Sequence, residues 1–145
     1  MAITQAICNS FKKELLEGDH NFDTGGDVFK LALYTSAATL NSSTTVYTST
    51  GEVTPSGQYT STGGTLVNSG TSQIGGIAFC DFADLSFTGV TLTARGALIY
   101  NTSATVTDAA VAVLDFSSDK TATSGTFTIV FPADTSAAAI LRISG

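Results

Sequence analysis

From Ile77 to Ile143 the apolar residues come in short bursts, each closed within a few positions by Gly, Ser, Asn or Asp. The bursts are Ile77 to Phe82, Leu85 to Phe87, Val90 to Leu92, Ala97 to Tyr100, Ala110 to Phe116, Phe127 to Phe131 and Ile140 to Ile143. Runs of this length, rich in β-branched and aromatic residues, predict strands, and seven of them at close spacing predict a sandwich or a partly open barrel. The punctuation is Thr88-Gly89, Asn101-Thr102-Ser103, Ser117-Ser118-Asp119 and Ser124-Gly125, each read here as a turn. No helical pattern alternates with these strands, which argues against a parallel α/β fold.

The only helical pattern lies at the start. Ile3, Ile7, Phe11 and Leu15 recur every four residues, with Cys8 and Leu16 alongside. This predicts one amphipathic helix over residues 1–18, with Thr4 as N-cap and Gly18 as its stop. Its stripe faces apolar partners, either this chain's own core or a docking neighbour. After Gly18 the period changes. Val28 to Tyr34 sets Phe29, Leu31 and Leu33 on one face and Lys30 on the other, a strand. From Thr35 to Gly76 the text is Ser, Thr, Gly and Asn with isolated apolar residues, read as short strands and long turns, a place where contacts are often carried. The expectation is therefore one domain over 1–145: an N-terminal helix, then an antiparallel β domain over 28–145 with a loop-rich stretch 35–76. Phe29, Leu31, Leu33, Leu98, Tyr100, Val111, Val113, Phe127, Ile129 and Phe131 form its core, with Cys80 buried.

Composition narrows the function. Charged residues are 12 % and the formal charge is −6, from 6 basic against 12 acidic residues. Nucleic acid needs a basic stripe, and Lys12 and Lys13, the one adjacent pair, sit beside Glu14 and Glu17. An anionic membrane surface is disfavoured likewise, and no apolar run approaches the ~20 residues of a spanning helix. The N-terminus has no basic segment leading into an apolar stretch, so we expect synthesis and folding in a host cytoplasm, with Cys8 and Cys80 as free thiols.

Chemistry is hard to assemble. The single histidine, His20, falls in a polar turn and reads as a solvated surface residue, so a nucleophilic triad has no second candidate base. Two distant cysteines and one histidine do not make a zinc site. Asp81 with Asp84, and Asp115 with Asp119, read as strand-end and turn residues in preference to an acid/base pair. The sharpest pattern is Asp19-His20-Asn21-Phe22-Asp23-Thr24-Gly25-Gly26-Asp27, which offers oxygen ligands at Asp19, Asn21, Asp23 and Asp27 as a calcium loop does. Thr24 stands where such a loop needs Gly, and Lys30 where a bidentate Glu should close it, so an acidic turn is the preferred reading. We expect no enzyme activity and no cofactor.

A strand-rich, hydroxyl-rich, acidic chain without a secretory signal fits a virion component, which folds inside a host and leaves by lysis. The opening MAITQAICNSFKKELLEG, the following His-Asn-Phe, FKLALYTSAATL over 29–40, ARGALIYN over 94–101 and AVAVLDF over 110–116 resemble small structural proteins of tailed bacteriophages. The resemblance implies a capsid decoration (cement) protein, bound to other virion proteins such as the major capsid protein and assembled as a homo-oligomer, a trimer by preference. The alternative it leaves open is a neck, tail or fibre module that binds a receptor or glycan. It carries no catalytic motif, and Ile3, Ile7, Phe11 and Leu15 are its self-assembly or docking candidates.

Overall fold

In the computed structural model, which describes residues 2–145, the chain is an antiparallel β-sandwich with one short N-terminal helix. The strands are β1 (Ala6–Ile7), β2 (Phe29–Tyr34), β3 (Gly64–Thr65), β4 (Asn68–Ile74), β5 (Ile77–Phe82), β6 (Leu85–Asn101), β7 (Ala109–Ile129) and β8 (Leu141–Ser144), and the helix is α1 (Asn9–Leu16). One sheet has the order β1-β7-β6-β2-β3 and the other β4-β5-β8.

The bursts from Leu85 to Ile129 do not form separate strands. They join into one long hairpin, β6 against β7, paired from Leu85 opposite Ile129 to Asn101 opposite Ala109. Thr102 and Ser103 do leave the ladder, just past Asn101, but the other three turn signals are bulges within it. Gly89 at φ +64°, Ser117 at φ +69° and Ser124 at φ +44° each coincide with a register shift. A left-handed residue suits a bulge as well as a turn, and a bulge keeps the strand going while re-aiming it.

The N-terminal stripe is also corrected. Only Asn9–Leu16 is helical; Ala6 and Ile7 pair with Val113 and Ala112 on the free edge of β7, and Ile3 bridges Leu40. Thr4 is no cap: its N–H donates to the Leu40 carbonyl, and Cys8 precedes the helix without a side-chain cap. A spacing of four keeps residues on one side of a strand as well as of a helix. With β-branched Ile3, Thr4 and Ile7, the sheet edge wins over a marginal extension of a short helix. Gly18 ends the helix as expected, at φ +75° with its N–H on the Leu15 carbonyl.

The core residues expected from the sequence are all buried, Cys80 included. Strand β2 is buried on both faces, because Ala32 and Tyr34 are as enclosed as Leu31 and Leu33, so it is a central strand and not a half-exposed one. The two sheets meet through phenylalanines: Phe29 of β2 stacks on Phe22 with centroids 4.3 Å apart and lies 5.7 Å from Phe82 of β5, which lies 5.6 Å from Phe131. Each such ring contributes about 1.5–3 kcal/mol of burial.

Within 35–76 only β3 and β4 are regular, and tyrosines fasten the rest. β3 covers the edge of β2 at Lys30 and Leu31 alone. Beyond it the Leu33 N–H donates to the Tyr59 hydroxyl at 2.8 Å, and the Leu33 carbonyl accepts from Val53 N–H at 2.9 Å. Tyr59 in turn donates to Glu52 at 2.7 Å; Tyr47 donates to the same carboxyl group, as does the Thr62 N–H at 2.9 Å. Tyr34 and Tyr100 donate to the carbonyls of Thr48 and Thr62. Burial first, and Glu52 beside it, hold the Tyr59 phenol well above its usual range, so it stays a donor.

Candidate functional site

A cleft of about 890 Å³ lies between the N-terminal segment and the three-stranded sheet. Ile7, Phe11 and Leu15 line one side. Ala78 and Cys80 of β5 and Leu141 and Ile143 of β8 line the other, and they share a sheet face because Ala78 pairs with Ile143 and Cys80 with Leu141. His20 and Phe22 also line it. Three of the four docking candidates thus come together at one cleft. The fourth, Ile3, is spent in the core, where it fills the space beside Gly96: a Cβ there would lie 2.9 Å from Ile3 Cγ2.

His20 is buried, not solvated. Its Nε2 lies 3.0 Å from Glu14 Oε1 and its Nδ1 2.9 Å from Asn101 Nδ2. The Asn101 amide orientation follows from its other partners: Nδ2 donates to Asp27 Oδ2 at 2.8 Å and Oδ1 accepts from Ser103 N–H. Nδ2 is therefore the donor to His20 Nδ1, which leaves the ring proton on Nε2, donating to Glu14. The ring packs 4.8 Å from Phe11 and 6.5 Å from Phe29. This is a structural histidine that ties α1 to the end of β6, a role its polar neighbours in the sequence conceal.

The acidic loop spends its oxygens on donors of the protein, its own backbone and residues of the 101–105 turn. Asp19 accepts from Thr105 N–H at 3.0 Å and Oγ1 at 2.8 Å, which holds its carboxyl below the usual range. Asn21 accepts from Asp23 N–H, Asp23 from Thr24 N–H, and Asp27 from Asn21 N–H. Gly26 is required there, because a Cβ would come within 2.6 Å of the Asn21 carbonyl. The four calcium candidates, Asp19, Asn21, Asp23 and Asp27, thus build a turn, and among the described residues no three His, Cys, Asp or Glu side chains gather to hold a metal.

Asp84 and Asp115 each have donors of their own. Asp84 accepts from Phe131 N–H, and Asp115 from Ser117 N–H and from Arg95 at 3.3 Å. Asp81 is buried with Oδ2 unpartnered, and burial first, with Asp134 adding to it, raises its pKa. Cys8 and Cys80 are free and buried, and burial pushes their thiols up to about 11 and about 12. Both are therefore poor nucleophiles.

A different kind of surface covers the distal half of the β6–β7 hairpin. Ser86, Thr88, Thr91, Thr93, Thr121, Thr126 and Thr128 are exposed there, on strands whose Phe87, Val90, Leu92, Phe127 and Ile129 point inward. Ser86 and Thr128 hydroxyls meet across the strands at 2.9 Å, as do those of Thr93 and Thr121, and the Thr91 hydroxyl accepts from Ser124 N–H at 2.9 Å. The alternation that produces this face was legible; that the strands run on through their bulges to make one continuous face was not.

No helix is long and apolar enough to cross a membrane among the described residues. Compared with known proteins, the chain matches no family model, no curated protein and no solved structure.

Proposed function

We propose that this chain is a non-enzymatic structural protein of a virion, a decoration protein that seats on a tailed-phage head as a closed homo-oligomer, a trimer. The observation that carries the reading is the hydroxyl face of the β6–β7 hairpin. It is broad, nearly free of charge and already cross-linked by its own hydrogen bonds. Packing such a face against a protein lattice desolvates few charges and orders few long side chains, the two main costs of association. The strands beneath are paired antiparallel along the whole face, through the bulges at Gly89 and Ser124. Many identical modest contacts on a shell then sum to strong retention. The virion assignment itself rests on the sequence resemblance.

The test is binding of purified protein to shells stripped of it. We expect saturable binding that tightens the shell against heat. Thr88→Lys with Thr126→Lys, both exposed on the face, should weaken that binding tenfold or more with no change in folding. Absence of binding by the unmodified chain would overturn the decoration reading, and undiminished binding by the double variant would remove the hairpin face as its contact.

A further inference from the structure

We infer that the cleft between α1 and the β5–β8 face is a binding site for a single-chain amphipathic carboxylate, an acyl chain ending in a free acid. It is independent of the virion reading. The volume of about 890 Å³ lies within the range of small-molecule sites. The walls suit an acyl chain: Ile7, Phe11 and Leu15 face Ala78, Leu141 and Ile143.

Charge is what selects the head group. The chain carries 12 acidic and 6 basic residues. Yet among the described residues two of the bases, Lys12 and Arg142, line this cleft and no acid does. Neither is neutralised. Lys13 pairs with Glu17 and Arg95 with Asp115, but Lys12 reaches only the Asn9 side-chain oxygen at 3.5 Å, and Arg142 only the Ser136 carbonyl at 3.3 Å. Arg142 pairs with Phe79, on the other side of β8 from Leu141 and Ile143, so it borders the cleft at its rim, where most of its donor fork is left for a carboxylate that it matches in geometry. An apolar trough with one unpaired cation on its wall and another at its rim, on an otherwise acidic protein, is complementary to an apolar anion.

The test uses the full chain with dodecanoate and, as an uncharged control, dodecanol, by calorimetric titration. We expect dodecanoate to bind at one site and more tightly than dodecanol. An exposed ion pair contributes a factor of roughly three to five. Lys12→Ala with Arg142→Ala should therefore weaken dodecanoate about tenfold and leave dodecanol unchanged. Ala78→Phe, which fills the cleft from an exposed position, should abolish binding of both, with its urea midpoint confirming the fold. No binding of dodecanoate, equal affinity for acid and alcohol, or indifference to Ala78→Phe would each overturn the assignment. So would sedimentation with phosphatidylglycerol vesicles in place of dodecanoate binding, which would make the cations a lipid-surface contact.

Discussion

Removing one oxygen atom at Tyr59 tests how the irregular stretch 35–76 is held. In Tyr59→Phe the ring keeps its place against Phe87, whose centroid lies 5.0 Å away, so no cavity opens. Two hydrogen bonds go. The Leu33 N–H, buried on the edge of β2 that β3 does not reach, loses its 2.8 Å acceptor, and Glu52 loses one of its three donors. An orphaned buried N–H costs about 1–3 kcal/mol, and a hydrogen bond to an acidic side chain contributes about 1.5–3 kcal/mol. Glu52 keeps Tyr47 and Thr62, so the two terms overlap and the expected loss is about 2–4 kcal/mol. At a urea m-value of about 2 kcal/mol/M the midpoint falls by about 1–2 M. Tyr100→Phe, which loses a single bond to the Thr62 carbonyl, is the comparison and should cost about 1 kcal/mol. Hydrogen exchange adds a local reading, since the Leu33 amide should lose protection in Tyr59→Phe and keep it in Tyr100→Phe. A Tyr59→Phe midpoint within about 0.2 M of the parent, or an unchanged Leu33 amide, would refute the view that tyrosine hydroxyls close this edge.

Three further outcomes follow from the same geometry. Asp81 has a raised folded pKa, so its ionisation opposes folding: the cost is absent below the unfolded value of about 3.9 and grows as pH rises through the folded value. Asp81→Asn should therefore match the parent in melting temperature near pH 3 and exceed it at pH 7, and parallel profiles would count against a buried, poorly partnered carboxylate. Gly63→Ala should destabilise by more than about 3 kcal/mol in urea, because its φ is +85° and a Cβ would lie 1.9 Å from the Leu31 carbonyl oxygen. Cys8 and Cys80 should resist alkylation at pH 8 in the folded protein and both react in urea; rapid labelling of either thiol in the native state would contradict their burial.

What was legible in the sequence follows the range of the interactions. β5 was readable to the residue, since Ile77 to Phe82 is bounded by Gly76 and by Ala83-Asp84. The inward residues of β2, β6 and β7 were readable from their apolar runs, but the burial of Ala32 and Tyr34 on the second face of β2 was not. Gly89, Ser117 and Ser124 were misread because a left-handed residue marks a bulge and a turn alike, and only the partner strand decides between them. Ile3 and Ile7 were misread because a spacing of four fits both periods, and the free edge of β7 that settles the matter lies about a hundred residues away. His20 looked solvated because its partners are Glu14, six residues before it, and Asn101, eighty-one after. The cleft was half visible: Ile7, Phe11 and Leu15 were marked as apolar, but the wall from β5 and β8 and the cations Lys12 and Arg142 are brought there only by the fold.

The most direct test of the functional account is the copy number of this chain in purified particles, measured by quantitative mass spectrometry against the major shell protein. Decoration predicts one copy per shell subunit or a simple fraction of it. A few copies per hundred shell subunits, or none, would contradict it; the former would move the chain to the neck or tail.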